Sequence, residues 1–358
     1  MIKNLKTLLP GLILCVAIAT GAYFLGKQFP IVGGAVFGIV IGMCLVPMLK
    51  SRRAFFDVGI KFSAKKILQW AVILLGFGLN LKVVAKTGLE SLPIIASTIT
   101  ASLLLAWIFQ RLLSIPKKSA ILVGVGSSIC GGSAIAAAAP VVEADDSEIA
   151  QSISVIFFFN VLAALIFPSL GVLIGFDTLC GDAFGIFAGT AVNDTSSVTA
   201  CASSWDSMHG LGVATLDKAV TVKLTRTLAI IPIVIGLTIL HAREMRAAGT
   251  ASGKNVSIVK IFPFFILYFI LASVITTMCD LAMVKASLET CGIEMSILFG
   301  WMKWLAKFFI IIAMVAIGFN TDVVKLLKTG GRPLALGAIC WIGITLVSLL
   351  MQHFLGLW

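Results

Sequence analysis

The chain has 358 residues, 59% of them hydrophobic and only 12% charged, and its mean hydropathy is +1.09. A soluble domain of that make-up would lack a polar surface, so composition excludes a water-soluble globular class and indicates an all-α polytopic membrane protein in contact with a lipid bilayer. The net charge of +11 does not indicate nucleic acid, because the Lys and Arg residues are dispersed between apolar segments with no interleaved aromatic module.

Segments long enough to cross about 30 Å of hydrocarbon at about 1.5 Å per residue are predicted at 8–25 and 32–49. The first resembles a signal peptide, with Lys3, Lys6 and an Ala17-Ile18-Ala19 site, but retention of Met1 favours a span. The third segment, 67–81, is short and glycine-punctuated, and the fourth is 92–113. The fifth, 119–142, carries GVGSSICGGSAIAAAAP and reads as an interrupted helix, since each glycine lowers helix propensity by about 1 kcal/mol. The sixth, 149–175, holds Asn160 near its middle. The seventh is 184–202, followed by 213–240, 261–279, 297–319 and 334–354, for eleven segments in one membrane domain, 1–358. Eight cysteines show no CxxC and no Cys/His cluster, so no metal or cofactor is expected; Cys279 and Cys291 share one loop, where a disulfide is open.

Charge placement sets the expected orientation. Eleven crossings put eighteen Lys and Arg residues in loops on the side of the amino terminus and only Lys27, Lys82, Lys86 and Lys285 on the other. By the positive-inside rule the amino terminus is then cytoplasmic and the carboxyl terminus outside. On this count the acidic run Glu143, Asp145, Asp146 and Glu148 falls on the outer side. Lys303 and Lys307, near Trp301 and Trp304, read as snorkelling side chains.

Two internal resemblances appear. Gly78-Leu79-Asn80-Leu81-Lys82-Val83-Val84 resembles Gly318-Phe319-Asn320-Thr321-Asp322-Val323-Val324 in opposite orientation, the pattern of inverted-repeat transporters. Gly126-Ser127-Ser128-Ile129-Cys130 also resembles Gly189-Thr190-Ala191-Val192-Asn193, but eleven crossings give those two copies one orientation, which does not fit an inverted pair.

The chemistry concentrates in two stretches. Residues 188–200, AGTAVNDTSSVTA, are too polar to face lipid, and they precede Lys223 and Arg226 in an otherwise apolar segment. Charges at that depth cost several kcal/mol unless they face water or one another, so they mark a functional site. Broken helices are tolerated there only when buried in protein or lining a watery cavity. Their amino termini attract anions. The candidate substrate-binding residues are Gly126, Ser127, Ser128, Cys130, Gly131, Gly132, Ser133, Asn160, Asn193, Thr195, Ser196, Ser197, Lys223 and Arg226. Asp194 is the candidate coupling residue for H⁺ or Na⁺, or else a counter-ion of the two cations. For a single glycine or serine the plain alternative is close helix packing.

GSSICGGSAIAAAAPVV, FAGTAVNDTSSVTA and GFNTDVVKLLKTGGRPL resemble the bacterial YeiH-type sulfate exporter family over almost the whole chain. More distantly, the broken segments are similar to those of the bile acid and arsenite transporter superfamily. The resemblance implies a multi-pass inner-membrane protein with two discontinuous helices crossing at the substrate site, and it suggests sulfate or a related organosulfonate as cargo. The leading expectation is a secondary active transporter of a small anion working by alternating access. A cation/proton antiporter using Asp194, a channel and an intramembrane enzyme are the alternatives. The enzyme is disfavoured because His209, His241 and His353 lie at or beyond segment ends, leaving Cys130 without a base. The absence of a Walker motif argues against ATP-driven transport, and homo-oligomerisation is left open.

Overall fold

The computed structural model describes residues 2–29, 33–49, 52–77, 79–247, 264–279, 295–320 and 331–358. The described residues are helical and contain no strand. The helices are α1 (Ile2–Gln28), α2 (Gly33–Leu49), α3 (Arg53–Phe62), α4 (Leu68–Gly76), α5 (Leu81–Leu112), α6 (Lys117–Ser128) and α7 (Gly132–Ala138). They continue as α8 (Asp146–Ile174), α9 (Asp182–Ala191), α10 (Thr195–His209), α11 (Ala214–Thr227) and α12 (Ile230–Ala247). The last three are α13 (Phe265–Cys279), α14 (Met295–Asn320) and α15 (Gly331–Phe354). A π-helical turn, Ser63–Ile67, joins α3 to α4. Six helical stretches are long and apolar enough to cross a membrane, and Gly33–Leu49 and Phe265–Cys279 are shorter apolar helices.

Local sequence sets several boundaries. Asp145 and Glu148 form a capping box that starts α8, and Gly175 in the left-handed region (φ +93°) ends it. Asn80 starts α5 by accepting the Lys82 N–H. The start of α11 is held from another helix: the Asp206 carboxylate accepts the N–H groups of Thr215 and Leu216, each at 3.0 Å.

The helices pack as two bundles. One contains α1, α2, α3–α4, α13 and α14, and the other contains α5 through α12 with α15. In the first bundle glycines bring backbones together, Gly11 against Gly59 and Gly42 against Gly318, where an added Cβ would lie 2.6–3.1 Å from the facing Cα. This is the packing role of small residues in membrane helices. The bundles meet where α10 lies against α2 and α14.

Cross-chain bonds identify the two ends of the molecule. At the near end Arg53 donates to Asn320 Oδ1, Arg332 to the Ser114 carbonyl, and Lys118 Nζ to the Glu143 carbonyl at 2.7 Å. At the far end Lys307 donates to the Gly212 carbonyl and Trp358 to that of Gly175.

These bonds revise the course of the two interrupted segments. Helix α6 enters from the near end, the chain turns at 129–131, and α7 returns, so that Glu143 lies beside Lys118. Gly126 packs on Ile135 across this hairpin. Helices α9 and α10 mirror it from the far end, with Phe184 near the start of α9 stacked on Trp205 near the end of α10, ring centroids 4.0 Å apart. Along α9, Gly181, Gly185 and Gly189 meet Thr215, Lys218 and Val222 in turn, so α9 and α11 run parallel and α10 runs back.

Both discontinuous segments are therefore re-entrant hairpins. The acidic run Glu143 to Glu148 consequently lies at the end that carries Lys117 and Lys118, not the opposite one, and the loop 175–182 likewise moves to the far end. The charge count was blind to this because neither loop contains Lys or Arg. With the hairpins entering from opposite ends, the GSSIC and GTAVN stretches have opposite orientation and fit an inverted pair. The second copy of the Asn80 motif runs from Gly318 through Asn320 into 321–330, and Cys291 falls in 280–294; 321–330 and Cys291 lie outside the described residues.

Candidate functional site

The tips of the two hairpins meet midway along the second bundle. In the first tip Ile129 is non-helical and Gly131 has φ +70° and ψ −127°, a conformation that favours glycine. In the second, Val192 and Asp194 are extended and separate α9 from α10. Each break ends a helix whose last carbonyls have lost their intrahelical partners.

Helix α11 supplies those partners. Lys223, fully buried, donates to the Ile129 carbonyl at 2.7 Å, to the Val192 carbonyl at 3.0 Å and to the Asn193 carbonyl. One ammonium thus satisfies carbonyls from both tips, and all three of its protons are engaged. Arg226, one turn on and equally buried, forks its two terminal nitrogens to the Thr190 and Val192 carbonyls, each at 2.5 Å. Placing cations at the negative ends of α6 and α9 is electrostatically favourable.

Asp194 sits at the opposite polarity. Its carboxylate accepts the Ser196 N–H at 3.1 Å and caps the positive end of α10. A Cβ on Gly131 would lie 3.5 Å from Asp194 Cβ and 3.6 Å from Asn160 Nδ2, so glycine lets the first tip close on the second. Asn160, from α8, accepts the Asn193 N–H at 3.2 Å. The Thr190 hydroxyl is 2.7 Å from that of Ser348, which ties α9 to α15.

The structure gathers Cys130, Gly131, Asn160, Asn193, Asp194, Lys223 and Arg226 around the tips. Five buried residues there have side-chain atoms without a partner among the described residues: Ser127 Oγ, Ser196 Oγ, Asn160 Nδ2, Arg226 Nε and both polar atoms of the Asn193 amide. Such groups cost about 1–3 kcal/mol each when unpaired. Thr195 is half-buried next to Asp194, Gly132 packs against Phe157, and Ser197 is buried within α10. Ser128 bonds back to the Val125 carbonyl, Gly126 serves packing, and Ser133 is exposed in the first turn of α7.

Sequence reasoning missed the other polar partners. The carbonyls of Ile129 and Val192 carry no signal in residue type. Lys303 is paired with Asp217 at 2.8 Å, and Lys307 bonds the Gly212 carbonyl, so both engage the second bundle where snorkelling was expected. Their i, i+4 spacing on one helix face was the available clue.

The profile of a family described as conserved hypothetical protein 698 matches residues 10–337. A UPF0324 membrane protein of Fusobacterium nucleatum is 56% identical over 348 residues, covering 97% of this chain and 98% of its own. UPF0324 membrane proteins of Streptococcus mutans and of Streptococcus pyogenes serotype M18 are 56% and 54% identical over 350 residues, each covering 98% of both chains. No solved structure matches.

Proposed function

The chain belongs to the UPF0324 membrane-protein family, and on that premise we propose that it is a secondary transporter of a small anion, working by alternating access at the hairpin tips. The observation that carries this reading is the meeting of two oppositely inserted hairpins at one buried, polar layer joined by Lys223. A barrier made of two tips opens toward either end by moving one tip, which is the geometric requirement of a carrier. The unpartnered amide and hydroxyl groups of Asn160, Asn193, Ser127 and Ser196 beside the positive end of α10 supply donors for a dehydrated oxyanion.

The charge count suggests the coupling. Lys223 and Arg226 against Asp194 leave one net positive charge, which a monovalent anion balances with Asp194 ionised. A dianion such as sulfate balances it with one proton on Asp194. Sulfate as cargo rests on the YeiH-type resemblance, an inner-membrane location on the same likeness, and a cytoplasmic amino terminus on the Lys and Arg asymmetry. In this reading Cys130 takes no nucleophilic role, and the protein is a carrier rather than an enzyme.

One observation favours the cation/proton alternative: the Lys223 protons are all held by carbonyls, so that ammonium serves the fold while Asp194 is the chargeable group left at the tips. Labelled sulfate and methanesulfonate uptake into proteoliposomes, with and without an inward proton gradient, tests the two. Saturable anion flux that exchanges with unlabelled anion supports the anion carrier. Proton movement driven by sodium with no anion flux supports the alternative and overturns the first reading.

A further inference from the structure

At the far end, where the two bundles touch, α14 presents Lys303 and Lys307 to the base of the second hairpin. Lys303 Nζ lies 2.8 Å from Asp217 Oδ2, an ion pair that crosses from one bundle to the other. Lys307 donates to the Gly212 carbonyl in the turn between α10 and α11. Nearby, Gly33 at the start of α2 fits against Ser204 of α10, where an added Cβ would be 3.3 Å from the Ser204 Cα. Polar and steric contacts thus hold the hairpin bundle against α2 and α14 at this end.

The same two lysines line an open cavity of about 220 Å³ with Gly212, Val213, Gly300 and Trp304. The indole N–H of Trp304 is directed to the Tyr23 hydroxyl, so the ring forms an apolar wall. Asp217 is only 7% exposed, and its Oδ1 has no partner among the described residues. Asp206, the other carboxylate close by, is engaged by the backbone of α11. Lys303 is therefore paired with a carboxylate through one oxygen, whereas Lys307 is hydrogen-bonded to an uncharged carbonyl that leaves its charge unbalanced by any ion pair among the described residues. A tetrahedral oxyanion offers both ammonium groups more acceptor oxygens than they now share.

We propose that the cavity over Lys303 and Lys307 is an access site for an oxyanion of the sulfate or sulfonate class, at which the anion replaces Asp217 on Lys303 and releases the ion pair tying the two bundles. The proposal rests on the anion-carrier reading above and assigns it a gate. The anion that arrives opens its own route to the hairpin tips, because the same lysine cannot hold the anion and the Asp217 carboxylate at full strength. Lys307 contributes attraction without being part of the pair, so it separates the binding of the anion from the strength of the latch.

The test uses the full chain in detergent, with its native cysteines replaced and Ser204→Cys as reporter, because Ser204 is buried at the boundary of the bundles. Sulfate is expected to raise the rate of maleimide labelling several-fold. Asp217→Asn is expected to label fast with or without sulfate. Lys307→Gln is expected to label slowly and to lose the sulfate response, while keeping the pair. A Lys307→Gln response equal to that of the parent overturns the access site. So does a parent that ignores sulfate and methanesulfonate while the same preparation, reconstituted, carries sulfate; in that case the carrier reading stands alone. Loss of both labelling response and flux overturns the access site together with the reading beneath it.

Discussion

The Lys223 ammonium on α11 reaches the carbonyl of Ile129, a residue 94 positions earlier, at 2.7 Å. That bond crosses from one re-entrant hairpin to the helix that follows the other, and with the Val192 and Asn193 bonds it makes a single cation the joint between two chain breaks. A lysine in this position is neither a lipid-facing error nor a free anion ligand. It neutralises the helix ends that the breaks create.

Removing it exposes that role. Lys223→Met leaves carbonyls of both tips unpaired in a buried layer, and the loss of a buried charge with its hydrogen bonds is expected to cost about 3–5 kcal/mol. Thermal unfolding of the purified protein in detergent checks this through a large fall in Tm. A Tm within a degree or two of the parent would mean that the joint is dispensable.

Arg226 tests geometry rather than charge. Its fork spans the Thr190 and Val192 carbonyls, and a lysine, a point charge on a flexible stem, cannot reproduce two fixed donors. Arg226→Lys is expected to lose most of the stability that Arg226→Ala loses, and Tm values of the two variants side by side decide it.

Gly131 is sensitive through its backbone. A Cβ there meets neighbours only at 3.4–3.6 Å, so space is adequate, but φ of +70° with ψ of −127° is unfavourable for any L side chain. Gly131→Ala is expected to cost about 1–3 kcal/mol, whereas Gly132→Ala, at φ < 0 and with Phe157 at 3.4 Å, is expected to cost less. Detergent melting curves compare the two.

Asp194 separates function from fold. Asparagine caps a helix about as well as aspartate, so Asp194→Asn is expected to keep Tm close to that of the parent. Sulfate flux in proteoliposomes should meanwhile lose its acceleration by an inward proton gradient, because the variant has no carboxylate to protonate. Unchanged gradient dependence would remove Asp194 from the coupling.

The hairpins make a topological prediction. Glu143 lies beside Lys118, whereas Cys180 is exposed at the far end beyond α8. A membrane-impermeant maleimide applied to intact cells should label Cys180 and spare a Glu143→Cys reporter until the membrane is opened, given a cytoplasmic amino terminus. The reverse pattern, with the Glu143→Cys reporter labelled from outside and Cys180 spared, would show that α6 and α7 cross, because α8 separates the two positions in either case.

What the amino-acid sequence determined by itself was the all-helical membrane class and the position of the charged and glycine-rich stretches that make up the candidate site. Hydropathy depends on local composition, and Asp194, Lys223 and Arg226 stand out because charge among apolar residues is costly wherever the chain folds. The two helix breaks were legible for the same local reason, through glycine and serine. Whether a broken segment crosses or returns was decided only by tertiary structure. A hairpin and a span have the same composition, and the loops at issue, 139–145 and 175–181, carry no Lys or Arg to mark their side. The partners of Lys223 and Arg226 were equally invisible, since they are main-chain carbonyls that every residue possesses. The pairing of Lys303 with Asp217, 86 positions apart, exists only because the two bundles meet there.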